Sequence, residues 1–402
     1  MVKFKLSLMM LFQYMMYAVW WVPLAAYLTQ MEVETARKAL IMSSMAIGCL
    51  FSPFMGMLAD RFWPAQRVLA GMNLIHGMML IWAATAQDPD ILFISLLLAM
   101  LAYMPSWGLT SAIAMAHLPS EDFPKVRVFG SVGWVASGVF SVIFIRFLGV
   151  GFDGTHIPFY CGAGVSLVAA LFSLMLPQTP PPAKGKKVKI IDAFGLGTLK
   201  LMRNRNFTIF IVFSFLSVIP FAMYYSYFSE FLLDINTRYI TVTVNWGVLA
   251  EMGFMLLVPL AIRRFGLRKT MILGLAALAI RYFSFYAGGV VLQPWMHYVG
   301  ILIHGLIFGF FYVGGQIYID NNSPRELKSQ AQGFIFLVTF GLGLLVGNFL
   351  SAHLINFHKD ATSYNWDAIW GITTIISIVL LLGFMIFFRE DKKVTKDALS
   401  FS

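Results

Sequence analysis

Runs of apolar residues long enough to cross a membrane, separated by short polar gaps, repeat along the entire chain. An α-helix rises about 1.5 Å per residue, so roughly twenty residues cross the hydrocarbon core of a bilayer. On that measure the pattern predicts helices near 5–28, 38–59, 66–86, 90–116, 124–148 and 157–177, then near 206–233, 238–262, 268–287, 294–319, 327–352 and 366–388. The hydrophilic stretch between the sixth and seventh, PQTPPPAKGKKVKIIDAFGLGTLKLMRNRN, opens with prolines that cannot continue a helix. The expected architecture is an all-α membrane protein of twelve transmembrane helices. They form two pseudo-symmetric six-helix bundles, residues 1–177 and 206–402, joined by a basic linker over 178–205.

Charge orients this pattern. With the amino terminus inside, all but six of the 29 Lys and Arg residues fall in cytoplasmic gaps or at the inner ends of helices. The six exceptions are Arg37, Lys38, Arg146, Arg238, Arg281 and Lys359. The reading is therefore a multi-pass protein of a bacterial inner membrane with both ends cytoplasmic. The first run, MVKFKLSLMMLFQYMMYAVWWVPLAAYL, can span, and no small-residue cleavage site follows it. It is read as the first helix and not as a leader.

Composition excludes several classes. The 402 residues are 59% hydrophobic and 12% charged, against about 45–50% and 25% in soluble domains. The net charge of +10 is dispersed over short loops with no aromatic-interleaved stripe, which argues for anionic lipid and against nucleic acid. Cys49 and Cys161 lie in apolar runs and make neither a disulfide framework nor a metal pattern. No nucleophile elbow, phosphate-binding loop or zincin motif is present. That speaks against an enzyme and against an ATP-driven pump in this chain. The remaining expectation is a secondary transporter driven by a proton gradient, without cofactor or metal.

Ionisable residues inside the runs are few: His76, Arg127, Glu251, Arg281 and His304. A charge in lipid costs at least a few kcal/mol, so these should face protein or water. Glu251 lies deep, with no charged neighbour in sequence, and reads as a functional residue, the alternative being a structural hydrogen bond or ion pair. Arg127 either joins it or snorkels to the inner surface. His76 and His304 read as satisfied core histidines, and Arg281 as the structural partner of an acid. Aromatic residues gather at Tyr14, Tyr17, Trp20 and Trp21, at Trp134, at Tyr224, Tyr225 and Tyr227, and over Phe308 to Tyr312. Beside Gln13, Asn245 and Gln316, such rings suit a flat base or a sugar.

GMLADR, residues 56–61, resembles the loop motif of the major facilitator superfamily, although FWPAQR follows in place of the usual Gly-Arg-Lys continuation. AIRRFGLRK, residues 261–269, occupies the equivalent place in the second half. The resemblance implies a conformational gating role for Asp60 and Arg61. AYMPSWGLT (102–110), FPKVRVFGSVGW (123–134), EMGFMLLVPLAIRRFGLRK (251–269), SQAQGF (329–334) and NWDAIW (365–370) together resemble the nucleoside:proton symporter family within that superfamily. This likeness implies a monomeric importer of nucleosides by proton symport. It implies Gln13, Arg127, Ser131 and Glu251 as substrate ligands, Trp134 stacking on the base, and Glu251 with Arg127 in proton coupling. Tyr225, Phe308 and Gln316 complete the expected substrate set. The chain departs from the family at Ala222 and Tyr225, the polar positions of the seventh span, at Val248, where a glutamine is expected, and at Gly309, where an acid is expected. A sugar or small glycan is therefore the alternative substrate, and a non-transporting sensor the alternative class.

Overall fold

In the computed structural model of the chain the described residues are 2–119, 122–181, 196–324, 327–360 and 363–389, without the side chains of 53–61, 124, 196 and 329. Asp60 and Arg61 lie on a described helix, but their side chains fall outside what is described.

Every predicted run is helical. We label them α1 (Val2–Gln30), α2 (Thr35–Met42 and Ser44–Arg61), α3 (Ala65–Thr85), α4 (Pro89–His117), α5 (Lys125–Phe147) and α6 (Ile157–Ser173). Then follow α7 (Arg205–Asp234), α8 (Ile240–Met255 and Val258–Phe265), α9 (Leu267–Val290), α10 (Trp295–Asn322), α11 (Gln330–Phe357) and α12 (Trp366–Phe387). Among the described residues nine of these are single helices long and apolar enough to cross a membrane, and α8, bent by 52°, makes a tenth. The fold is an all-α, multi-pass membrane fold.

The turns are tighter than the sequence suggests. The GMLADR segment is helical through Arg61, leaving Phe62–Pro64 as the turn. Between α8 and α9 a single residue, Gly266 at φ +80°, reverses the chain, a conformation side chains with a Cβ rarely adopt. Helix α12 shows which solvent the fold expects. It exposes Ile375, Val379, Leu382 and Ile386 along one stripe and buries Thr373, Thr374 and Ser377. The three hydroxyls donate to carbonyls one turn back, at 2.7–2.8 Å. Polar groups satisfied within the helix and apolar groups outside are what a lipid environment demands.

Two compact units are present: Met1–Val188 with Tyr224–Asn245, and Lys189–Met223 with Trp246–Ser402. In the first unit α1 lies so close to α5 that a Cβ on Gly133 would run into the carbonyl oxygen of Leu11. Small residues allow such close helix approach in membranes. Helix α1 breaks at Pro23, which frees backbone donors in the next turn. One is taken up by α7, where the Ser229 hydroxyl accepts from Ala26 N–H at 3.3 Å. Beside it, Lys38 of α2 donates to a Glu230 oxygen of α7 at 2.7 Å and to Thr29 Oγ1 at 3.0 Å. The two charged side chains are only 9% and 1% exposed.

The start of α8 is held by Asp153 in the α5–α6 connection. Its carboxyl accepts from the backbone N–H groups of Ile240 (3.0 Å) and Thr241 (3.3 Å), and from the hydroxyls of Thr241 and Ser141. Burial pushes this carboxyl above the usual carboxylate range, against the opposing pull of those hydrogen bonds. A raised folded value means that its contribution to stability is full below the unfolded value and is lost as pH rises through the folded one. Asp153→Asn keeps one accepting oxygen and turns an NH2 toward the two donors on the other, one of them a backbone N–H, so it should cost about 1–3 kcal/mol at neutral pH, less than full removal of the acceptor. It should also lose the gain in stability that the parent shows on acidification. Asp153→Leu leaves four donors without an acceptor and should cost several kcal/mol, at about 1–3 each. Thermal melts of the purified variants across pH decide this; an Asn variant as damaged as Leu would show that the charge itself is required.

Candidate substrate and proton sites

In the first unit the site grows from one face of α1. Gln13 is buried and its amide donates to the Ser106 hydroxyl of α4. Ser106 donates to the carbonyl of Tyr103 at 2.6 Å, and the Tyr103 hydroxyl returns to the Gln13 carbonyl at 2.9 Å. This closed loop of bonds fixes α1 to the Pro105 break in α4. One turn on, the Tyr17 ring stacks on Tyr103 (centroids 4.7 Å apart) and Trp21 (5.3 Å) and meets Trp134 edge-on (5.6 Å). Its hydroxyl lies 3.5 Å from that of Tyr225 on α7. The predicted residues Gln13, Trp134 and Tyr225 thus belong to one aromatic cluster, with Tyr17, Trp21 and Tyr103 as members that sequence reasoning left out of the site.

That cluster holds unused hydrogen-bonding capacity. The indole N–H groups of Trp21 and Trp134 are buried without an acceptor, and Asn245 Oδ1 is buried without a donor, among the described residues. The other side of the Asn245 amide is engaged: it donates to the carbonyls of Trp134 and Val135, at 3.4 and 3.2 Å, where α5 breaks at Ser137. An orphaned buried polar group costs about 1–3 kcal/mol, so a ligand supplying the missing partners gains from them. Arg127 sits with its guanidinium carbon 4.4 Å above the Tyr14 ring, and Trp107 stacks on that tyrosine at 5.7 Å. Arg127 forms no ion pair among the described residues. Ser131, one turn further along α5, is half-buried.

His76 backs this cluster. Ser166 donates its hydroxyl to Gly162, so it accepts from His76 Nδ1–H at 2.8 Å. The ring proton is then on Nδ1, and Nε2 is left buried without a partner among the described residues. The expected satisfied core histidine is satisfied on one side only.

In the second unit the intramembrane charges converge. Glu251 Oε2 lies 3.5 Å from His304 Nε2, and Arg281 Nη2 lies 2.8 Å from His304 Nδ1. The fully buried Arg281 also donates from Nε to the Gly300 carbonyl at 3.0 Å. The acid that Arg281 was expected to serve is therefore reached through a histidine. Phe308 stacks on the same imidazole at 6.3 Å and Phe221 at 6.2 Å. Gln316 is exposed further along α10, where its carbonyl accepts from Gln332 at 2.7 Å, and it does not join this cluster.

The family departures have local causes. A Cβ at Gly309 would meet the Val258 side chain at 3.0 Å and the Met255 sulfur at 3.3 Å, so a carboxylate there would be pressed against apolar groups. Ala222 is fully buried with its methyl 2.8 Å from where a Cβ on Gly347 would be, which leaves no room for an amide. Arg281 and His304 carried a signal that sequence could have used. They lie nine residues before Val290 and nine after Trp295, at matching depth on antiparallel neighbours, and Glu251 lies eleven after Ile240.

The family model described as "Nucleoside H+ symporter" matches residues 1–393. The chain belongs to that family. Membership makes it a transporter and not an enzyme. It is 34% identical to the putative nucleoside transporter YegT of Escherichia coli (strain K12), over 97% of this chain and 95% of that protein. It is 25% identical to the xanthosine permease of the same organism, over 95% and 96%. In three dimensions this symporter resembles the crystal structure of nucleoside transporter NupG with a TM-score of 0.86 at 24% identity, covering 97% of this chain and all of that one. It also resembles the xylose transporter XylE from E. coli, with a TM-score of 0.70 at 14% identity over 97% and 99%. These likenesses establish the major facilitator fold for this symporter.

Proposed function

We propose that this chain imports nucleosides together with protons across a bacterial inner membrane, as a monomer with both termini cytoplasmic and the proton gradient as its only energy source. The observation that carries the reading is the family match over residues 1–393. The site supplies the chemistry. A nucleobase is a flat ring with donors and acceptors on its edge. The half-buried Trp134 ring, backed edge-on by Tyr17, offers a stacking face. The Trp134 N–H and Asn245 Oδ1 offer one donor and one acceptor that are unused among the described residues. Arg127, held over Tyr14, and Tyr225 supply donors for the ribose hydroxyls.

Glu251 carries the proton in this reading. Asn245 and Glu251 share one helix, six residues or about 9 Å of rise apart. A buried carboxyl is tolerated when neutral or compensated, so proton uptake biases which conformation the chain prefers. If substrate binds the protonated protein more tightly, linkage makes the proton bind more tightly to the loaded protein. Glycine at position 309, where the family carries an acid, motivates a sugar as the second reading.

Proteoliposomes with an imposed inward proton gradient and labelled uridine, adenosine or glucose test both. Gradient-dependent accumulation of a nucleoside is the expected result. Accumulation of glucose alone would transfer the mechanism to sugars, and uptake insensitive to the gradient would remove the symport.

A further inference from the structure

We infer that Arg281, acting through His304, holds Glu251 as a carboxylate and so decides when that group takes up its proton. The inference rests on the reading of Glu251 as the proton-carrying group and adds two positioning residues to it. A guanidinium only donates hydrogen bonds and does not lose its proton in proteins. His304 Nδ1, 2.8 Å from Arg281 Nη2, must therefore accept. The single ring proton is then on Nε2, the nitrogen 3.5 Å from Glu251 Oε2. Protonating Nδ1 as well would set an N–H against an N–H. His304 thus turns its single N–H toward the carboxylate and is not a second proton carrier.

The surroundings keep this alignment. Phe221 and Phe308 lie along the two stacked approaches to the imidazole. Gly305 brings α10 against α8, since a Cβ there would lie 2.5 Å from the Cα of Glu251. The Gly300 carbonyl anchors the guanidinium from its other edge. His304 from α10 faces the carboxyl, and Arg281 from α9 lies behind the imidazole. Tyr312 of α10 turns its hydroxyl to Ser217 of α7, at 3.4 Å. A permanent positive charge one imidazole away favours the ionised acid, as an opposite charge nearby does generally.

The test reads Glu251 directly. Dicyclohexylcarbodiimide modifies carboxyls in apolar surroundings when they are protonated. Its attachment to Glu251, followed by mass spectrometry in native membranes across pH, gives a midpoint that needs no substrate. Arg281→Gln should move that midpoint up by about one pH unit or more, the lower end of the effect of a nearby opposite charge. Arg281→Lys should stay near the parent. His304→Gln can accept from Arg281 and donate to Glu251, so it should keep the parental midpoint, whereas His304→Leu should shift like Arg281→Gln. If Arg281→Gln does not fold, the two His304 variants decide. An unshifted midpoint in folded Arg281→Gln, or a His304→Gln shift as large as that of His304→Leu, overturns the inference. Because labelling does not depend on transport, a chain that carries something other than a nucleoside still gives the answer.

Discussion

Glu251→Gln is expected to abolish accumulation of substrate against its gradient while exchange of substrate across the membrane continues. Glutamine has the shape of the protonated acid and cannot release a proton, so the chain is held in one of its two protonation states. A carboxyl 15% exposed, beside an imidazole donor, is placed to exist in both forms as the cycle proceeds. The amide also keeps the 3.5 Å approach to His304, so the loss falls on coupling and not on packing. A one-to-one symporter can sustain about tenfold accumulation for each pH unit of gradient, since each unit is worth about 1.4 kcal/mol. In the variant that ratio should fall to about one. The measurement is paired: uptake under an imposed gradient, and counterflow without one. Retained accumulation would move the proton to another group. Loss of both activities in a folded protein would assign Glu251 to binding alone.

The second large effect is expected at Lys38 and Glu230, the buried pair between α2 and α7. Removing one partner leaves a buried charge uncompensated, which costs about 3–5 kcal/mol. Lys38→Ala should therefore lose thermal stability steeply, far beyond the exposed Arg37–Asp90 pair, whose removal should cost less than about 1 kcal/mol. Replacing both charges, as Lys38→Met with Glu230→Leu, should restore stability or exceed it by about 1–4 kcal/mol. Transport should move the other way. A charged pair regains water when its contact opens, whereas an apolar pair must be exposed at a cost. The double variant should therefore be more stable and turn over more slowly. Melting curves and initial exchange rates on the same preparations check this. A double variant with parental turnover would make the pair a structural tie and not a contact that opens during the cycle.

Much of this protein could be read from its residues in order. Apolar length gave the labelled helices, because a bilayer imposes one length scale on its spans, and did not give the 3-10 helix Leu196–Arg203 in the linker. The spread of Lys and Arg predicts an orientation, and the depth of Glu251 marks it as exceptional. The resemblance led to Gln13 and Trp134, which the structure places in one cluster with Tyr225. It did not lead to Tyr17 or Tyr103, which in sequence are two more aromatics in aromatic-rich helices.

What decided the chemistry was proximity between helices far apart in the chain. Glu251, Arg281 and His304 are isolated polar residues in three different runs, and each alone reads as an anomaly. Brought within hydrogen-bonding distance, the donor-only guanidinium dictates the tautomer of the imidazole and, through it, the surroundings of the acid. The same holds for Lys38 with Glu230, and for Asp153 with the start of α8. Helix existence follows from local hydrophobicity, which each residue carries with it. Ionisation, tautomer and hydrogen-bond satisfaction depend on which groups face each other across a few ångströms, and that was settled only when the helices packed.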